Sequence, residues 1–138
     1  MTMLDDNAIA ALLACATRAR EAAYAPYSKY KVGAAVVATD ERVFFGCNVE
    51  NASYGLSLCA ERTAIASAVA AGVKRIRAVV VVTDAEPPGT PCGACRQWLA
   101  EFGDDSMELV TANGKGDLRR FTLGQLLPEA FRLDPGVL

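Results

Sequence analysis

Arg77-Ala78-Val79-Val80-Val81-Val82-Thr83 is the stretch whose reading settles the architecture. Its consecutive valines are β-branched and do not alternate with polar residues, so they suit a strand covered on both faces and central in a sheet. On the C-terminal side, a Pro- and Gly-rich loop, Glu86 to Pro91, leads into a predicted helix from Cys92 to Phe102, closed by Gly103. Met107 to Thr111 and Leu118 to Thr122 follow as strands around an Asn113-Gly114 turn, and a helical turn, Leu123 to Leu127, precedes Pro128. On the N-terminal side, Leu58 to Ala71 reads as a helix with Gly72 in the left-handed closing position. Before it, Lys31 to Ala38 and Val43 to Asn48 read as a hairpin joined by Thr39-Asp40-Glu41-Arg42. A first helix, capped by Asp5 or Asp6, carries Ile9, Leu12, Leu13 and Ala16 on one face, and is predicted to run to about Ala25, where Pro26 stops it. The order α-β-β-α-β-α-β-β predicts an α/β fold: three layers, α/β/α, around a mixed sheet of about five strands.

A chain of 138 residues is expected to form a single catalytic domain over residues 1–138. Its formal charge is −2 and it contains no histidine. A near-neutral, slightly acidic chain does not fit a protein that grips polynucleotide phosphates, which calls for clustered Lys and Arg, so nucleic acid is not expected as a partner. The basic residues that do gather, Lys74, Arg75, Arg77, Arg119 and Arg120, read as solvated edge positions. The apolar run near the N-terminus follows two aspartates rather than basic residues, and no stretch approaches the length of a membrane span. Five cysteines, an odd number, are expected to be reduced thiols in a cytoplasmic setting, where they pack, catalyse or hold metal.

Three of the cysteines stand out by position. Cys92 and Cys95 form a C-x-x-C at one predicted helix start, and Cys59 lies at another. Helix N-termini lower thiol pKa values, because the dipole and free N–H groups favour the anion. Two such ends that converge would present three thiolates to one zinc ion and leave its fourth position to water. Zinc lowers the pKa of such a water, and Glu61, two residues after Cys59, is placed to exchange a proton with it without being a ligand.

Cys59-Ala60-Glu61-Arg62 with Pro91-Cys92-Gly93-Ala94-Cys95-Arg96 matches the zinc-dependent deaminase signature, with cysteine in place of the histidine that some members use. Two other readings stand beside it. Cys92-Gly93-Ala94-Cys95 could be a thiol–disulfide oxidoreductase pair, and Cys47 could close a structural zinc site as fourth ligand. Cys15 and Cys47 otherwise read as buried structural thiols.

From Tyr24 to Phe131 the chain resembles the small zinc-dependent cytidine deaminases, which assemble as homotetramers. The stretches that carry the likeness are Ala25-Pro26-Tyr27-Ser28, Val32-Gly33-Ala34-Ala35, Gly46-Cys47-Asn48-Val49-Glu50-Asn51-Ala52, the two cysteine stretches, and Leu126-Leu127-Pro128 with Phe131. The resemblance implies that Asn48 and Glu50 bind ribose hydroxyls, with strand-end capping as the plainer role. It implies that Tyr30 faces the pyrimidine and that Phe131 reaches the pocket from a neighbouring subunit, although each aromatic alone would read as core. Ala52 and Tyr54 are implied near the sugar's 5′ end, the Ala60 backbone at the base carbonyl, and the Thr90 backbone at the leaving amine. Arg62 is implied to hydrogen-bond the cysteine sulfurs, offsetting the negative charge of three thiolates on a dication; otherwise it would sit on a helix surface. Tyr30 departs from the family's usual phenylalanine. A buried hydroxyl there would need a partner, so either the base pocket is more polar or the ring sits differently.

The implied activity is hydrolytic deamination of cytidine or deoxycytidine to uridine or deoxyuridine, in pyrimidine salvage. The nearest alternative is deamination of a related aminopyrimidine, such as a nucleoside antibiotic or a free base.

Overall fold

The structure, a computed structural model, describes residues 3–133. In chain order it contains α1 (Asp6–Glu21), β1 (Gly33–Ala38), β2 (Val43–Cys47), a 3-10 turn (Tyr54–Leu56), α2 (Ala60–Ala70), β3 (Ile76–Thr83), α3 (Gly93–Phe102), β4 (Glu108–Asn113), β5 (Leu118–Thr122) and α4 (Leu123–Leu126). The strands form one sheet in the order β2-β1-β3-β4-β5. β3 and β4 run parallel, joined by the α3 crossover, and the remaining pairs are antiparallel.

The valine run is the central strand, as its composition requires. Its alternate side chains serve two cores. Val79 and Val81 pack with Ala64, Ile65 and Ala68 of α2 and Leu99 of α3 on one face. Ala78, Val80 and Val82 pack with Ile9, Leu12 and Ala16 of α1 on the other. The predicted three-layer arrangement is therefore present.

Asp5 caps α1, its carboxylate accepting from the Ala8 N–H at 2.8 Å. That helix stops at Glu21, short of the predicted Ala25. The cause is tertiary: the Tyr24 N–H donates to the Asn48 carbonyl at 3.0 Å and its carbonyl accepts from the Glu50 N–H at 2.8 Å, which a helical Tyr24 could not do. Gly72 has φ of 93°, the left-handed closure expected of it. Gly103 ends α3 in an extended conformation instead, with φ of −158°. Space explains that glycine: a Cβ would lie 2.1 Å from Met107 Cε and 2.8 Å from the Ile76 carbonyl.

One close approach fixes the site's frame. α2 lies on β2 so tightly that a Cβ on Gly46 would sit 2.2 Å from Thr63 Oγ1 and 2.5 Å from the Ala64 nitrogen. The Thr63 hydroxyl also donates to the Cys47 carbonyl at 2.8 Å, locking the helix to the strand end. Gly46→Ala is expected to cost roughly 1–3 kcal/mol, since helix backbone cannot yield as a side chain can. Chemical denaturation checks it; a midpoint equal to the parent's would contradict the contact.

Candidate active site

The first turns of α2 and α3 converge beside the C-terminal end of β3. Cys59 and Cys92 occupy the N-cap positions of these helices, both with extended backbone, and neither side chain makes a capping hydrogen bond. Cys95, one turn into α3, is fully buried. The three sulfurs lie within 4.8 Å of one another, with Cys59 and Cys92 Sγ atoms 3.7 Å apart. A tetrahedron with metal–sulfur bonds of ~2.3 Å has an edge of about 3.8 Å. The donor set and spacing fit one zinc ion.

No fourth histidine, cysteine or carboxylate joins the group among the described residues. Cys47 is outside it, so the closed structural site finds no support. Cys15 and Cys47 are half-buried rather than buried; Cys15 packs at the margin of the α1 core and Cys47 ends β2. The oxidoreductase reading finds no support either: the sulfurs of the C-x-x-C pair share one cluster with Cys59, a donor set for metal.

The cluster's electrostatics suit a cation. Arg62 Nη2 donates to Cys59 Sγ at 3.4 Å and to the Ser57 carbonyl at 3.4 Å, while its Nε is buried without a hydrogen-bond partner. The Cys59 thiol is brought down to about 5, first by the hydrogen bond from Cys95 and then by Arg62, against burial. The same bond and its burial push the Cys95 thiol up. Metal binding at these sulfurs requires that the Cys95 proton leave. Glu61 is 4% exposed and its carboxyl is raised to about 7, chiefly by burial and then by the Cys59 charge. A carboxyl poised near neutrality can both accept and donate a proton.

Cys59, Cys92 and Glu61 line a cleft of about 500 Å³ together with Tyr30, Asn48, Glu50, Tyr54, Ala60, Arg62 and Thr90. Ala60 enters through α2, and Thr90 through the loop before α3. Asn48 and Glu50 follow β2, and both already brace the segment before β1. Asn48 Oδ1 accepts from the Val32 N–H and its Nδ2 donates to the Tyr30 carbonyl, each at 2.8 Å. Glu50 accepts from the Tyr27 N–H at 3.0 Å, the Ser28 N–H at 3.1 Å and the Ser28 hydroxyl. The strand-end role is real, and each side chain retains hydrogen-bonding capacity toward the cleft.

Tyr30 is 42% exposed and lines the cleft, with its hydroxyl beside Gly89. Ala52 and Phe131 do not line the cleft; both are exposed, and the Phe131 carbonyl accepts from Gln97 Nε2 at 2.8 Å. Two contributors had no clear sequence signal. Ser28 holds Glu50, and Arg96 reaches the loop at Thr90. The arginine was visible after the C-x-x-C, but its partners are set by the fold.

The geometry agrees with comparison to known proteins. Residues 6–111 match the family model for the cytidine and deoxycytidylate deaminase zinc-binding region. This chain belongs to the cytidine deaminase family. A cytidine deaminase of Sporosarcina psychrophila is 51% identical over 120 residues, 87% of this chain and 88% of that protein. The crystal structure of a cytidine deaminase from Burkholderia pseudomallei superposes with a TM-score of 0.86 at 52% identity, covering 93% of this chain and 100% of the other. That of Mycobacterium tuberculosis gives a TM-score of 0.78 at 42% identity, over 95% and 100%. The chain is a zinc-dependent hydrolase of the cytidine deaminase family, with Cys59, Cys92 and Cys95 as the cluster compatible with one zinc per chain. No helix among the described residues is long and apolar enough to cross a membrane.

Proposed function

We propose that this chain deaminates cytidine or deoxycytidine, with residues 1–138 acting as one catalytic domain. The observation that carries the reading is that one cleft is lined by Cys59, Cys92 and Glu61 and also by Asn48 and Glu50. A metal-binding, proton-transferring end and a hydroxyl-binding pair in one cavity suit a nucleoside better than a free base. Zinc, when bound by Cys59, Cys92 and Cys95, supplies Lewis acidity that brings water within reach of deprotonation near neutral pH.

The Glu61 carboxylate takes the proton of the water that adds to C4 of the cytosine ring and delivers it to ring N3. It then carries the proton of the new C4 hydroxyl to the departing amine, so that the C4–N bond breaks, ammonia leaves and the C4 oxygen becomes the uracil carbonyl. The Ala60 backbone holds the base carbonyl, and the Thr90 backbone receives the amine. Tyr30 faces the pyrimidine, Asn48 and Glu50 hold the ribose hydroxyls, and Ala52 and Tyr54 lie toward the 5′ end.

Arg62 draws charge from the thiolates. Arg62→Gln is therefore expected to lower turnover roughly 10- to 100-fold, with zinc still bound, by metal analysis beside the activity assay.

Self-association, as a homotetramer, would bring Phe131 from a neighbouring subunit to the cleft. Tyr24, Tyr27, Tyr54, Leu56 and Phe131 all expose at least half their surface, which supports a further subunit covering them. Five free thiols support a reducing, cytoplasmic setting, and salvage of pyrimidines is the corresponding role.

The test is an ultraviolet assay with cytidine, with and without chelator, beside metal analysis of the purified protein. Cytidine should be consumed only by zinc-loaded chains. Consumption that persists after zinc is stripped would overturn the mechanism, and preference for a free aminopyrimidine base or an antibiotic would overturn the substrate.

A further inference from the structure

The geometry points to Arg96 as a positioning residue for departure of the amine, holding the Thr90 backbone in place from behind the cleft. This inference rests on the deaminase reading above.

Arg96 follows the buried sulfur ligand Cys95, and its side chain turns back toward the start of α3, as helical side chains do. Its Nε donates to the Pro91 carbonyl at 2.7 Å, Nη2 to the Thr90 hydroxyl at 3.0 Å, and Nη1 to the Leu126 carbonyl at 2.7 Å. One planar fork thus joins the two residues before Cys92 to the last residue of α4. The loop needs such a brace. Residue 91 is proline, with no N–H of its own, and Thr90 is exposed and lines the cleft. The Thr83 hydroxyl accepts from the N–H groups of Ala85 at 3.1 Å and Gly89 at 3.3 Å, which holds the loop as far as the residue before Thr90. Beyond Gly89, Arg96 supplies the side-chain hydrogen bonds to Thr90 and Pro91.

The consequence is specific to the leaving group. A backbone acceptor at Thr90 helps once the nitrogen at C4 becomes tetrahedral and protonated, so losing its alignment should reduce kcat more than it raises KM. Lysine at position 96 keeps the charge but cannot reproduce the fork. A leaving group without N–H bonds should be indifferent. In the analogue that carries methoxy in place of the C4 amine, the C4–O bond to methoxy breaks and the group departs as methanol, with the one proton that Glu61 delivers.

The experiment compares Arg96→Lys and Thr90→Val with the parent, using cytidine and the 4-methoxy analogue, and expresses kcat per bound zinc. For Arg96→Lys, kcat on cytidine is expected to fall roughly 10- to 100-fold. KM on cytidine and kcat on the analogue should each change less than about threefold. Hydrogen exchange over residues 84–91 should quicken in the same variant. Thr90→Val, which removes one of the three acceptors, should show a smaller fall with the same dependence on leaving group. Equal losses on both substrates, or a kcat on cytidine unchanged per zinc, would overturn the assignment. Should Arg96→Lys fail to fold, an unchanged ratio between the substrates in Thr90→Val would overturn it. A parent enzyme that consumes neither compound would overturn the deaminase reading with it, whereas an active parent with uniform losses removes this inference alone.

Discussion

Glu61→Gln is expected to leave a folded chain that still holds one zinc and to abolish nearly all turnover. Glutamine has almost the shape of the carboxyl it replaces, and it removes a charge that burial penalises, so the thermal midpoint should be no lower than the parent's. What disappears is the group that accepts, holds and returns a proton beside the sulfurs. General acid–base participation contributes about 10²–10⁴ in rate at a single step. Here one side chain serves water attack, N3 protonation and amine departure, so the loss should reach the upper end of that range or exceed it. Measured turnover per bound zinc decides the matter. More than about a tenth of the parent rate would be incompatible with one essential proton carrier.

Cys95→Ala is expected to abolish metal retention and activity together. The Cys95 sulfur is the buried member of the cluster, and water cannot readily take its place beneath the first turn of α3. Two remaining sulfurs, both nearer the surface, are too few donors for the tight site that a catalytic zinc requires. After dialysis, metal analysis should find far less than one zinc per chain, and cytidine should persist in the assay. Cys47→Ala is the control. Its sulfur lies outside the cluster, so zinc content should match the parent's. Zinc loss in the control, or retention in Cys95→Ala, would refute the assigned ligand set.

The parts of this molecule that local chemistry specifies could be read from the chain. The uninterrupted valines required cover on both sides, and β3 has helices on both. Asp5 before the first helix and the glycine at position 72 mark element ends because capping depends on a few adjacent residues. Where the prediction missed, a distant partner decided. Tyr24 leaves the helix to bridge Asn48 and Glu50, and Gly103 is small because Met107 and Ile76 crowd it. At the site, the ligand trio and Glu61 were legible because sulfur and carboxylate chemistry restricts residue type and spacing. The bracing of Glu50 by Ser28 was not, since any hydroxyl at a turn looks alike until the fold selects its acceptor.

Cys59 and Cys92 begin their helices where serine, threonine or aspartate would ordinarily sit, as Asp5 does for α1. Each start thereby forgoes about 1 kcal/mol of capping. The ion that draws their sulfurs together consequently acts as a shared clasp for two helices. Stripping it should make α2 and α3 fray from their first turns while their far ends hold, so the metal-free enzyme would be disarranged at the place where chemistry occurs and intact elsewhere.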